Sequence, residues 1–246
     1  MKRIFTTVLL LTTLAASAQQ FRALLFTKTD GFHHESINEG VIAIRLLAQR
    51  NTFQVDWEEN AGVFNDKDLE KYQVIIFLST TGNILNEEQQ AAMEKFIRAG
   101  KGFVGIHSAS DTEYDWPWYN KLVGMMFKIH PAQQTAWLNV EDSNFPGMER
   151  FPKRLLWTDE WYDFSDRKAD NLHFLVSIDE KSYNPYAKWG DKETKGMGFH
   201  PISWYHSHDG GRAFYTALGH IPLTYKDQTF LDHLYGGIWW AATGKM

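Results

Sequence analysis

The segment Gly100-Lys101-Gly102-Phe103-Val104-Gly105-Ile106-His107-Ser108-Ala109 constrains the fold of this chain more than any other. A short apolar run closed by small residues reads as a strand buried on both faces, and such strands belong to parallel sheets covered by helices. The pattern has the form of a sharp strand-to-helix elbow. His107 would stand at its apex, at the carboxyl end of a central strand, where open α/β sheets place their ligand sites. The chain has no cysteine. Chemistry at the elbow must therefore use imidazole, carboxylate, water or a metal, and thiol chemistry is excluded.

The elements on either side support a parallel sheet. Residues 22–27 read as a first strand, followed by a loop over 28–35 and a helix over 37–50. Ser36 with Glu39 three residues later predicts a capping box at the start of that helix. Strands over 53–57 and 72–78 come next, then a helix over 87–99 that Asn86 caps and Gly100 stops. Such alternation predicts right-handed crossovers between parallel strands. Beyond Asp111 the pattern loosens. Pro117 opens a short helix, residues 133–140 and 172–178 read as strands, and 200–205 with 212–218 flank Asp209-Gly210-Gly211 as a hairpin. A last helix covers 227–242. The expected fold is α/β and flavodoxin-like, a mostly parallel sheet with helices on both faces and a β-rich, irregular C-terminal half, forming one domain over 19–246.

Residues 1–18 have the layout of a secretory signal peptide: Lys2 and Arg3, an apolar stretch over 4–14, and Ala16-Ser17-Ala18 as the cleavage site. The apolar stretch is too short to span a bilayer, and no cysteine is present to carry a lipid. A periplasmic or secreted protein without a membrane anchor is expected. The net charge of −5 argues against a nucleic-acid partner, whose phosphates call for clustered Lys and Arg. Ten Trp, ten Tyr and seventeen Phe offer ring faces that could pack against sugars or simply fill a large core.

Five landmarks occur in order: Phe32-His33-His34-Glu35-Ser36, Gly105-Ile106-His107-Ser108, Phe127-Lys128-Ile129-His130, Asp159-Glu160-Trp161-Tyr162, and Gly211-Arg212-Ala213-Phe214-Tyr215 leading into Leu218-Gly219-His220. Together they resemble the trehalose-utilisation (ThuA-like) family, whose fold is similar to that of class I glutamine amidotransferases. Against the amidotransferase pattern, His107 stands in place of the nucleophilic cysteine and His220 in place of the triad histidine. Pro222 occupies the position of the third member, a carboxylate, so glutamine hydrolysis is excluded. His33 replaces the arginine usual in the family's first motif.

His107, His220, Glu160, His34 and His130 are the expected catalytic residues, because an imidazole takes a proton near neutral pH and a carboxylate can orient it or act as second acid or base. Asp159 competes with Glu160 for that role. Asp111, Trp116, Trp118, Tyr162, His206 and Arg212 are the expected substrate-binding residues, with Asp111 accepting from hydroxyls and the tryptophans covering a ring face. The resemblance implies a carbohydrate substrate, specifically a keto-sugar or keto-disaccharide, transformed by isomerisation, elimination or hydrolysis. Two alternatives stay open: a metal-dependent hydrolase, with a divalent ion such as zinc on His107 and His220, and a sugar-binding protein without catalysis.

Overall fold

The structure is a computed structural model that describes residues 19–190 and 194–246, so the expected signal peptide lies outside the described residues. Eleven strands and five helices follow in order along them: β1 (Arg22–Phe26), α1 (Ile37–Arg50), β2 (Gln54–Glu58), α2 (Asp66–Leu69), β3 (Val74–Leu78), α3 (Glu87–Arg98), β4 (Gly102–Ile106), α4 (Pro117–Val123), β5 (Phe127–Ile129), β6 (Gln134–Val140), β7 (Arg154–Asp159), β8 (Asp163–Phe164), β9 (His173–Ile178), β10 (His200–His208), β11 (Gly211–Thr216) and α5 (Gln228–Thr243). Local chemistry explains the boundaries that matter. Asn86 and Gln89 form a reciprocal capping box at the start of α3. Asp227 accepts from Thr229 N–H and Phe230 N–H to open α5, and Gly244 closes it in the left-handed conformation. Asp209 and Gly210 both have positive φ, 47° and 88°, as a two-residue hairpin turn requires.

Nine strands make one sheet in the order β2-β1-β3-β4-β11-β10-β9-β6-β7. The strands from β2 to β11 run parallel, and the remaining four join antiparallel. β3 and β4 are buried along their whole length, as expected of central parallel strands. Helices cover both faces. On one side of β4, a Cβ placed on Gly102 would lie 2.1 Å from the Ala241 carbonyl oxygen of α5. On the other, its neighbour Phe103 packs edge-on to Tyr119 of α4, with ring centroids 5.8 Å apart. No described helix is long and apolar enough to cross a membrane.

The fold class agrees with the sequence, and three local features differ. Ser36 does not cap α1: it sits in the helical region, and its hydroxyl donates instead to the Gly219 carbonyl at 2.8 Å. That bond ties the start of α1 to the loop carrying His220. β7 is a strand the sequence reading passes over: its apolar run Leu155-Leu156-Trp157 is too short to separate strand from loop, and at the edge of the sheet its positions alternate between half-buried and exposed. β5 and β8 form a separate two-stranded ribbon, too short to leave a periodic signature.

Candidate active site

His34, His107 and His220 follow the carboxyl ends of β1, β4 and β11, three strands that share one edge of the sheet. His107 forms the elbow and has φ +53°, a region that a non-glycine residue enters only when its surroundings hold it there. The Tyr215 hydroxyl supplies one such hold, donating to the His107 carbonyl at 2.7 Å. Glu160 arrives from the segment after β7. Asp159 anchors that segment by accepting from the backbone N–H groups of Gly219 at 3.0 Å, His220 at 3.2 Å and Glu160 at 3.0 Å.

These elements bring four groups together: ligand atoms of His34, His107, Glu160 and His220 all lie within 4.8 Å of one another. Glu160 Oε2 is 3.1 Å from His220 Nδ1 and 3.6 Å from His107 Nε2, while Oε1 is 3.5 Å from His130 Nε2. His220 Nδ1 lies 3.3 Å from His107 Nε2. The carboxyl group that Pro222 excludes two residues beyond His220 is met instead by Glu160, from the segment after β7. His107 Nδ1 donates to the Ala217 carbonyl at 2.8 Å, which places the lone pair of neutral His107 on Nε2, where the Tyr162 hydroxyl donates at 2.8 Å. His34 Nδ1 lies 3.3 Å from Ser108 Oγ, and its ring meets His107 edge-on at 4.6 Å.

Burial governs the protonation of the cluster. It is the largest effect lowering His34 to about 3 and His220 to about 4, and neighbouring imidazoles add to it. The wholly buried His107 is pushed well below its ordinary value by the same cause, against the opposing hydrogen bond to Ala217. Burial, with Asp159 nearby, raises Glu160 to about 8. Burial also lifts Asp159 to about 7 despite the N–H groups that donate to it. The contacts of Glu160 have the spacing of ion pairs, yet acid and bases are both driven toward their neutral forms. Burial thus favours a protonated carboxyl among uncharged imidazoles near neutral pH.

The nest is nearly closed, with its outlet at His220, whose side chain is 22% exposed. Cavities of about 540 Å³ between α2 and α3 and about 570 Å³ beside β5 lie elsewhere. The cluster is the better candidate site than either cavity, since its titratable groups are buried and shifted while the charged groups of the α2–α3 groove, Asp66 and Lys95 among them, pair with each other at the surface.

Of the residues expected to bind substrate, Tyr162 joins the cluster, and Asp111 accepts from the Tyr114 hydroxyl at 2.7 Å and acts electrostatically on Tyr162. The other four lie away from it. Trp116 donates to Glu94 of α3 at 3.0 Å, Trp118 donates to Asp209 in the β10–β11 turn at 2.7 Å, and the two indoles stack on each other at 5.2 Å. That turn stands at the amino end of β4, opposite His107. Arg212 donates to the Ala241 carbonyl in the last turn of α5 at 2.9 Å, a helix-terminal contact. His206 is buried against the Leu122 carbonyl at 2.9 Å. The sequence reading missed Phe32 and Trp189, whose rings contact His34 and His130 at 4.8 and 4.3 Å. Phe32 adjoins the histidine motif and could have been found there; Trp189 carries no such signal.

Taken together, the sheet and its edge cluster define an α/β protein with a histidine-rich candidate active site. The chain belongs to the ThuA family, described as trehalose utilisation, which it matches over residues 22–241. Among solved structures it is similar to a ThuA-like protein from Bacteroides uniformis, with 23% identity, TM-score 0.76, and coverage of 91% of this chain and 92% of that one. A ThuA-like protein from Parabacteroides merdae gives 23% identity, TM-score 0.70, and coverage of 92% and 91%. A β-galactosidase from Bacillus circulans shares the fold over 92% of this chain and 31% of its own length, at 16% identity and TM-score 0.57. No curated protein matches the chain.

Proposed function

We propose that this protein is a periplasmic or secreted enzyme that acts on a carbohydrate bearing a ketone, by acid–base chemistry at His34, His107, Glu160 and His220. The observation that carries the reading is the convergence of these four groups within 4.8 Å at the carboxyl edge of the sheet. The family's description supports a sugar as substrate, and the layout of residues 1–18 supports export.

A ketone acidifies the neighbouring C–H, and the site offers both partners for moving that proton. His220, the most exposed imidazole of the set, is the base that takes it, and the electron pair passes to the ketone oxygen. His34 donates to that oxygen from Nε2 when Ser108 donates to its Nδ1. Glu160, favoured in its protonated form by burial, is the acid that returns one to the substrate, either to the former carbonyl carbon in an isomerisation, as the proton of the neighbouring hydroxyl moves to the old ketone oxygen, or to a departing oxygen in an elimination. His107 holds Tyr162 in place by accepting a hydrogen bond from its hydroxyl. His130 supports Glu160 from the other side.

A second reading rests on donor spacing. His107 Nε2, His220 Nδ1 and Glu160 Oε2 are separated by 3.1, 3.3 and 3.6 Å, close to the edge of roughly 3.3 Å implied by a tetrahedral zinc site with bonds near 2.0–2.1 Å. Neutral imidazoles are the ligating form, and the Nδ1–H bond of His107 to a backbone carbonyl is the usual outer support of a metal-binding histidine. A divalent ion held by these residues and His34 would supply Lewis-acid polarisation of the substrate oxygen or an activated water.

The test is proton exchange at the carbon beside the carbonyl, followed by ¹H NMR in D₂O with a keto-disaccharide. The untreated enzyme should exchange that hydrogen; His220→Ala should not, and Glu160→Gln should exchange it without turning the sugar over, while both retain the thermal transition of the parent. Exchange that persists in His220→Ala, or full turnover by Glu160→Gln, refutes the acid–base assignment. Elemental analysis of protein purified without a histidine tag decides the second reading: one equivalent of metal supports it, and none refutes it.

A further inference from the structure

We propose that Phe32 and Trp189 are the ring platforms that hold the sugar on either side of the cluster, an assignment that rests on the carbohydrate reading above. They stand at the two ends of a continuous chain of contacts. Phe32 lies edge-on to His34 at 4.8 Å, His34 meets His107 and His220 at 4.6 and 5.4 Å, Glu160 joins these to His130, and His130 lies 4.3 Å from Trp189.

Both rings are presented outward, Phe32 64% and Trp189 47% exposed. Large aromatic rings left in water next to reactive groups are the mark of a ligand site. Their loops are held firmly. Around Phe32, Asp30 N–H donates to the Thr81 carbonyl at 2.8 Å, Gly31 N–H to the Thr81 hydroxyl at 3.2 Å, and that hydroxyl to the Phe32 carbonyl at 3.0 Å. Near Trp189, Ala132 N–H donates to the Ala187 carbonyl at 3.2 Å, while Gln134 exchanges bonds of 3.0 Å with both the N–H and the carbonyl of Asn184. Each ring is thus preorganised beside an imidazole, and little ordering is required when a ligand arrives.

A pyranose suits this arrangement because its C–H faces lie on aromatic rings while its edge hydroxyls meet imidazole and carboxyl groups. An acyclic polyol has the hydroxyls and lacks the flat C–H face. The platforms therefore select a ring over an open chain. Trp116 and Trp118, stacked on each other at the far end of the sheet, take no part.

The experiment is calorimetric titration of the full protein with trehalose and, separately, with sorbitol. The parent protein should bind trehalose and prefer it to sorbitol; Phe32→Ala and Trp189→Ala should each weaken trehalose about tenfold, the scale of one aromatic contact. Trp189→Phe should recover most of the loss, and Trp118→Ala should bind like the parent. Equal trehalose affinity in the parent, Phe32→Ala and Trp189→Ala overturns the platforms and leaves the carbohydrate reading standing. Absence of sugar binding by the parent overturns both. Because both side chains are exposed, unchanged thermal transitions should accompany the weakened binding; a loss of affinity that only tracks unfolding also overturns the assignment.

Discussion

Replacing Tyr162 with Phe removes a single oxygen atom and exposes the logic of the cluster. The Tyr162 hydroxyl donates to His107 Nε2 at 2.8 Å, and both side chains are almost wholly buried. His107 Nδ1 is already committed to the Ala217 carbonyl, so the ring cannot turn to find another donor without breaking that bond. The substitution leaves a buried ring nitrogen with one fewer donor. The lost bond and the dry lone pair together cost about 2 kcal/mol, which for a chain of this size lowers the melting temperature by roughly 4–8 °C. Urea unfolding of EDTA-treated protein at pH 7 is the assay, with an unchanged slope showing that the folded surface is the same. In zinc-loaded protein the same lone pair would face the ion, and the penalty should shrink to below about 0.5 kcal/mol if the donor triangle binds metal. A cost below about 0.5 kcal/mol in the metal-free protein would refute the claim that Tyr162 serves His107 at all.

Three further outcomes are expected. Asp159→Ala strands the N–H groups of Gly219, His220 and Glu160 and should cost about 3 kcal/mol in urea unfolding, with weakened proton exchange because the loop bearing His220 loses its anchor. Gly102→Ala drives a methyl group against the Ala241 carbonyl of α5 and should cost about 3 kcal/mol while leaving sugar affinity unchanged in whatever fraction folds. Stability should also vary with pH in two opposed ways. His34 and His220, lowered from 6.5 to about 3 and about 4, make the unfolded chain the better proton binder below pH 6.5, so their contribution rises with pH up to that point. Asp159 and Glu160, raised to about 7 and about 8, make the folded protein the better binder, so their contribution falls as pH rises toward those values. Below pH 6.5 the two pairs offset each other, and above it only the carboxyls act, so the metal-free protein should lose stability from about pH 6.5 toward pH 8. Glu160→Gln should flatten most of that decline in a pH series of urea unfolding curves, and an undiminished decline would contradict it.

Local patterns carried far into the fold. The apolar run ending at His107, the Asn86 cap, the Asp209-Gly210 turn and the Asp227-started helix are each written in a few neighbouring residues, because strand burial, capping and turn conformation depend on neighbours along the chain. Ser36 is the instructive exception. Its spacing to Glu39 satisfies the capping rule, yet a carbonyl 183 residues away takes its hydroxyl. The aromatics divide in the same manner: Trp116 and Trp118 look like a sugar wall beside the elbow, and acceptors on α3 and the β10–β11 turn claim both.

Imidazole and carboxyl groups as the candidates for chemistry, a parallel α/β core and a sharp elbow at His107 all follow from residue types and short-range spacing. Which carboxylate serves His220, which aromatics face solvent beside the histidines, and which way each proton leans depend on distance in space. Glu160 stands one residue past the end of edge strand β7, beside Asp159, whose carboxyl accepts from the loop that carries His220, and burial there, more than any neighbour in the chain, drives acid and base together toward their neutral forms. Electrostatic and desolvation effects act through the folded interior, where sequence separation has no meaning.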